Sequence, residues 1–373
     1  MNYNKIYFKN LDGLRFLCFL SVFFYHSFHT DNELIKSSGI YIFFQKDIFG
    51  NGNLGVNFFF VLSGFLITYL LIEEKKLNGQ IDIKKFWIRR ALRIWPLFYV
   101  CVGFGFFIFP ILKTAFGQIP NETASLFSYL TFINNFDFID KGLPDASILG
   151  VLWSVAIEEQ FYLVWPVILY LLPIKKYWIA FTTIITASII YRYFNQSYLH
   201  HEFHTLSCIG DMAIGAFGAW LVLENARFKK NITQLNVSFI ILLYFVFILI
   251  FLFRDEYYHA SIAVFERSFI AIVILLIILE QNFSKNSFFK MSSFKKISKL
   301  GSISYGLYCL HFIGILVAIN IFDMLSINQN LWQVLFLETI IALSITIFIS
   351  KLSFRYFEKP FLKYKNKFSY IKK

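Results

Sequence analysis

Apolar runs of about twenty residues recur ten times along this 373-residue chain, and no other feature restricts its fold as strongly. A hydrocarbon core of about 30 Å takes roughly 20 residues of α-helix to cross. Inside it each backbone N–H and C=O must be paired within the protein, which a helix does by itself. The runs cover approximately residues 11–29, 54–73, 95–116, 149–172, 177–194, 205–224, 235–253, 262–280, 302–322 and 331–354. Composition agrees: 57% hydrophobic, 21% aromatic and only 16% charged, with mean hydropathy +0.60, is far from a soluble globular domain. An all-α, polytopic membrane protein is therefore predicted.

The net charge of +12 raises nucleic acid as a partner, but the basic residues sit in short segments between apolar runs, so no nucleic acid is expected. Their distribution sets orientation instead. With the N-terminus inside, inner segments hold 26 of the 35 Lys and Arg residues, from Lys5 and Lys9 to the seven between Arg355 and Lys373. Outer segments hold six (Lys36, Lys46, Lys141, Arg192, Arg254 and Arg267), and Arg15, Lys113 and Lys351 fall within spans. Both termini are thus expected in the cytoplasm, which requires an even number of spans and favours ten. Loops are short except residues 30–53 and 117–148, so residues 1–373 are expected to form one membrane domain with no appended soluble domain. Cys18, Cys101, Cys208 and Cys309 lie in apolar segments with neither paired nor metal-ligand spacing and are expected to be free thiols. No cleavable leader is evident, because Arg15 interrupts the first apolar run.

Polar residues inside such runs are costly unless they face a cavity or a partner, so they are the functional candidates. In the first run, LDGLRFLCFLSVFFYHSFH, Arg15 and His26 are eleven residues apart. Eleven helical steps return to nearly the same face after about 16 Å. A cation near one surface then shares a stripe with an imidazole that can accept a proton towards the other. In the second run, NLGVNFFFVLSGFLI, Gly55, Ser63 and Gly64 permit close approach of a helix or a ligand, helix packing being the simpler account. The segment FWIRRALRIWP carries Arg89, Arg90 and Arg93, which share one side of a helix and could clamp phosphates; an ordinary inner-surface anchor is the alternative. LWSVAIEEQFYLVWP aligns Ser154, Glu158, Phe161 and Trp165, with Glu158 near mid-membrane and Glu159 about 100° away, free to pair with a basic residue.

The ninth run, GSISYGLYCLHF, puts Ser304, Tyr308 and His311 on one stripe with Tyr305 beside it. Tyr305, Tyr308, His311 and Ser154 are candidates for lining a substrate cavity, a hydrogen-bonded packing role being the simpler account of His311 by itself, and Asp211 is a lesser one. At the last span, Glu358, Lys359 and Pro360 are expected to end the helix with the charges in water. His200, His201, Glu202 and His204 invite a metal reading, but HEFH is one residue short of the H-E-x-x-H pattern, and no metal is expected.

Taken together and in this order, LDGLR with His26, GVNFFFVLSGFLI, RRALRIWP, WSVAIEEQFY, SISYGLYCLH and the terminal EKPF make the chain resemble the acyltransferase-3 family of integral-membrane acyltransferases. The pieces span residues 11–361, with Phe16 standing where many members have a small residue. The resemblance implies ten helices around a polar cavity and acyl-CoA, commonly acetyl-CoA, as a cytoplasmic donor substrate rather than a resident cofactor. By motif match, Arg15 and His26 are the family's paired Arg and His, Arg90 and Arg93 its arginine pair near the coenzyme, and Glu158 its carboxylate. The implied activity is O-acetyl transfer to a hydroxyl of a cell-surface or lipid-linked glycan at the cytoplasmic membrane. His26 would act there as general base or carry the acyl group transiently. A transporter or flippase with an Arg15, Glu158 and His311 path is the alternative; no inverted repeat supports it.

Overall fold

The computed structural model describes residues 7–254 and 260–368. Lys5 and the final lysines, Lys372 and Lys373, which entered the orientation argument, lie outside these residues. Helix accounts for most of the described chain, which contains no strand. Ten long helices occupy the ten apolar runs: α1 Lys9–Tyr25, α2 Leu54–Asn78, α3 Ile83–Gly103, α4 Leu152–Leu171, α5 Tyr177–Phe194, α6 Thr205–Glu224, α7 Val237–Phe253, α8 Ala260–Phe283, α9 Ser304–Leu325 and α10 Thr339–Leu352. Among the described residues, six helical stretches are long and apolar enough to cross a membrane. A seventh is added if Ala226–Thr233 and α7, bent by 86°, count as one span.

Lipid tails are as apolar as leucine, so helix association in a membrane depends on close packing and internal polar contacts more than on escape from water. The α2–α6 crossing illustrates this. A Cβ on Gly64 would sit 1.9 Å from the Met212 carbonyl oxygen, and one on Gly215 would sit 2.0 Å from that of Val61, so each glycine admits the other helix's backbone. Gly55 does the same for α1, where a Cβ would meet the Cys18 oxygen at 2.4 Å. These glycines serve packing, not a ligand. By contrast α7 is apolar all round, and Ile241, Leu242, Phe245 and Ile248 remain exposed, as on a surface facing lipid.

Helix ends are satisfied locally. Lys75, in the last turns of α2, donates to the carbonyls of Leu169 (2.8 Å), Tyr170 (3.0 Å) and Leu172 (2.6 Å), pairing the orphan oxygens at the end of α4. Gly79, with φ +76°, stops α2 in the left-handed conformation that glycine takes without a Cβ penalty. α1 stops earlier than the sequence suggests: it has 17 residues and ends at Tyr25, and Phe28 takes φ +67° as the chain turns away. His26 is thus the C-cap of α1 and not a residue within it.

A polar assembly ties α5, α6 and α8 together, and it departs from expectation in its arginines and in Asp211. Arg192, Arg254 and Arg267 are buried, not set in loops. Arg192 donates to the Val264 and Ser207 carbonyls (both 2.9 Å) and to Ser268 Oγ (2.8 Å). Arg254 pairs with Glu202 and Glu266, and Arg267 with Glu202 (3.2 Å) and Asp211 (2.9 Å). Asp211 therefore belongs to this cluster and not to the cavity, because a guanidinium one helix away is its nearest source of charge. The histidines beside Glu202 are engaged as well: His201 Nε2 meets the Arg192 carbonyl at 3.0 Å, while His204 Nδ1 accepts the Leu206 N–H at 3.2 Å. Outside this assembly, Glu358 also departs from expectation: it is buried with its carboxylate accepting from Ser353 Oγ at 3.0 Å, because the helix of α10 runs on through Phe368 and does not stop in water.

Candidate active site

Five helices and the C-terminal segment surround a cavity of about 330 Å³, within the range of ligand pockets. α1 contributes Asp12 and Arg15, α2 Ser63 and Glu74, α3 Arg89, Arg90 and Arg93, α4 Ser154, Glu158 and Tyr162, and α9 Ser304, Tyr305 and Tyr308. Lys365 and Asn366 line it from beyond α10. Five cationic side chains (Arg15, Arg89, Arg90, Arg93, Lys365) face three carboxylates (Asp12, Glu74, Glu158), so the lining has an excess of positive charge.

The arginines are not equivalent. Arg15 donates to Asp12 at 2.8 Å, and Tyr7 donates to the other Asp12 oxygen. Arg89 is held from two sides, by Glu74 and by the Phe368 carbonyl, both at 2.9 Å, and so joins α2, α3 and the C-terminal segment. Arg90 lies over the rings of Phe86 (5.4 Å) and Tyr162 (5.5 Å), with its Nε buried and unpartnered. Neither Arg90 nor Arg93 forms an ion pair among the described residues. The i, i+3 and i+4 spacing of the three places them around one cavity, and tertiary partners then separate Arg89, which clamps, from Arg90 and Arg93, which stay open.

Opposite them is a cluster of hydroxyl groups. Ser154 Oγ and Tyr308 OH are 2.7 Å apart, and Tyr308 also donates to the Val151 carbonyl at 3.0 Å. Tyr305 donates to the Ile94 carbonyl at 2.8 Å, and Ser63 and Tyr162 share a 2.5 Å contact. Glu158 lies against the Tyr162 and Ser63 hydroxyls within Coulomb reach of Arg90 and Arg93. The cavity face of α4 is therefore Ser154, Glu158 and Tyr162. Phe161 and Trp165 stack on each other at 4.5 Å in the core instead, with Trp165 Nε1 donating to Thr68. Tyr162 was missed, although its i+4 spacing from Glu158 could have found it. Glu159 accepts from Trp95 Nε1 at 2.7 Å and pairs with no basic residue among the described residues.

His26 and His311 do not line this cavity. The early end of α1 turns His26 onto α9, where its ring is 4.7 Å from Phe312 and 5.4 Å from His311. His311 is fully buried, and its ring lies 6.0 Å from that of Tyr308. Ring contacts thus lead from the cavity wall at Tyr308 through His311 to His26, in place of the open channel that the Arg15 to His26 stripe suggests.

This arrangement can hold an anion at Arg90 and Arg93 and orient a polar group at Ser154 and Tyr308, with an imidazole pair behind that wall. Comparison with known proteins bears on what it serves. The chain is 28% identical to the peptidoglycan O-acetyltransferase OatA of Listeria monocytogenes over 97% of its length and 57% of the relative's. It is 30% identical to a putative O-acetyltransferase of Staphylococcus aureus (97% and 58%). It is 26% identical to the putative peptidoglycan O-acetyltransferase YrhL of Bacillus subtilis (95% and 55%). The chain spans a little over half the length of these curated relatives. No solved structure matches it. An acyltransferase domain model matches residues 8–352, nearly the whole chain, and the chain belongs to the acyltransferase-3 family.

Proposed function

We propose that the chain is a multi-pass enzyme of the cytoplasmic membrane, with ten spans and both termini inside. It would move an acetyl group from acetyl-CoA to a hydroxyl of a cell-surface or lipid-linked glycan. The observation that carries this reading is the pair Arg90 and Arg93, two guanidinium groups lining a membrane cavity with no direct ion pair among the described residues. Planar guanidinium groups bind phosphate through paired, charge-assisted hydrogen bonds. Relatives named as peptidoglycan O-acetyltransferases support a glycan as the acceptor.

On this reading Arg90 and Arg93 hold the donor's phosphates, and the wall at Ser154 and Tyr308 parts during turnover so that the acyl end meets the acceptor beside His26. The acceptor oxygen attacks the thioester carbonyl, forming the C–O bond as the C–S bond breaks. His26 takes the hydroxyl proton and returns it to the departing thiolate. Glu158 balances the arginine charge, and Arg15, fixed by Asp12, anchors the helix that carries His26.

The test is to supply the purified protein in vesicles with radiolabelled acetyl-CoA and peptidoglycan fragments or lipid-linked saccharides. Label should appear on the glycan with the intact protein and be lost with His26→Ala. Passage of an unaltered substrate across the vesicle, with no new ester, would overturn the proposal in favour of transport.

A further inference from the structure

His311 presents a feature that the proposed chemistry does not use. Its Nδ1 lies 2.6 Å from the Tyr308 carbonyl oxygen. A carbonyl can only accept, so Nδ1 carries the proton and Nε2 of the neutral ring is a bare lone pair. That nitrogen is buried and has no hydrogen-bond partner among the described residues. Buried acceptors are seldom left unsatisfied, which makes the ring's neighbours worth examining. Phe19 (6.3 Å) and Phe312 (4.6 Å) offer no polar atom. Tyr308 already shares its hydroxyl with Ser154 and the Val151 carbonyl. The remaining ring neighbour is His26, with centroids 5.4 Å apart and planes inclined by 35°. It stands at the end of α1 and is half-buried.

We propose that His311 is the positioning residue for His26: its Nε2 accepts the N–H of His26. The inference rests on the acyl-transfer reading above. In it the Tyr308 carbonyl fixes the tautomer of His311, and His311 in turn fixes that of His26. The second His26 nitrogen is then held as the lone pair that takes the acceptor's proton. When that proton arrives, His26 becomes an imidazolium whose N–H points at a neutral acceptor in a dry setting. The charge is stabilised without moving a proton to His311. This is the part a carboxylate plays behind the histidine of a hydrolase triad, taken here by a second imidazole. Both rings end the cycle neutral once the thiolate recovers the proton.

Two substitutions separate this role from packing. His311→Asn keeps an N–H at the Nδ1 position for the Tyr308 carbonyl but has no acceptor where Nε2 was. His311→Gln places an amide oxygen near the Nε2 position. We expect His311→Asn to melt as the parent does and to leave the KM for acetyl-CoA unchanged, while kcat falls on the order of 100-fold. His311→Gln should recover about tenfold of that loss. A His311→Asn enzyme with kcat within twofold of the parent would overturn the inference, as would Asn and Gln variants that lose kcat and donor affinity together. Ring ¹⁵N NMR of His26 decides the point without turnover: one tautomer in the parent and a mixture in His311→Asn is expected, and an unchanged spectrum overturns it. A parent protein that holds the single tautomer but transfers no acetyl group would sink the acyl-transfer reading alone.

Discussion

Two sets of buried arginines can be compared within this one fold. Arg192, Arg254 and Arg267 stand among Glu202, Asp211 and Glu266, three cations with three carboxylates, and their remaining N–H groups reach backbone carbonyls, Ser268 or the Asn53 side chain. The cavity set is less fully matched: Arg15 has Asp12 and Arg89 has Glu74, while Arg90 and Arg93 form no direct ion pair among the described residues and share only the nearby Glu158. Side-chain type and apolar surroundings are alike in both places. What differs is the supply of acids, and this separates a cluster that is complete within the protein from one that leaves cationic capacity free. A buried arginine in such a helix bundle therefore identifies a site only after its partners have been counted.

The comparison can be broken in four places. The largest effect is expected from Arg267→Met, which strands Asp211 and half of Glu202; removing one member of a buried pair costs about 3–5 kcal/mol. The melting temperature of the purified protein in detergent should fall sharply, and an unchanged melt would show that the cluster is not the structural one. Next, Arg90→Ala or Arg93→Ala should leave the melt nearly unaltered but weaken CoA binding. Loss of hydrogen bonds to a charged group is worth about 1.5–3 kcal/mol, or roughly 10- to 150-fold in Kd at 1.4 kcal/mol per decade. A fall in stability with no change in Kd would reverse the assignment.

Arg89→Ala should fall between the two classes, because its partners Glu74 and Phe368 are both protein groups. A stability loss of about 1 kcal/mol is expected, with a smaller change in CoA affinity than for Arg90, read from the same two measurements. The smallest effect concerns acid. Burial works against the charge of Glu202, but the Arg254 and Arg267 guanidinium groups outweigh it and hold the carboxyl below its ordinary value. A depressed carboxyl contributes stability that is fully present above the unfolded-state pKa, about 4.3 for Glu, and is lost as pH falls through the lower folded value. The melt should thus be flat from neutral pH to about 4.3 and decline below it. Glu202→Gln should decline less, and an equal decline would remove Glu202 from the closed set.

Much of this was legible in the sequence where the signal is local. Length and hydropathy located all ten long helices, and the i, i+3 and i+4 spacing of Arg89, Arg90 and Arg93 put them around one space. The depth of Glu158 in an apolar run marked it for the cavity. What depends on distant chain was not legible. The acid that neutralises Arg89 comes from another helix, and the carbonyl that completes its clamp belongs to Phe368, 279 residues on. Arg192, Arg254 and Arg267 read as loop cations because their carboxylates converge only after α5, α6 and α8 pack. Glu358 reads as solvated because nothing local says that the last helix continues past it. The end of α1 at Tyr25 is likewise set by the turn at Phe28, since the apolar run itself continues to His29.

That short first helix has a further consequence. On the ten-span reading proposed above, its seventeen residues rise about 26 Å, less than a hydrocarbon layer of about 30 Å, so the lipid beside α1 would thin or the helix would sit deep. Reconstitution in lipids of graded acyl-chain length then becomes a control on how far water lies from His26. Thin bilayers should bring the imidazole to the interface, and thick ones should bury it.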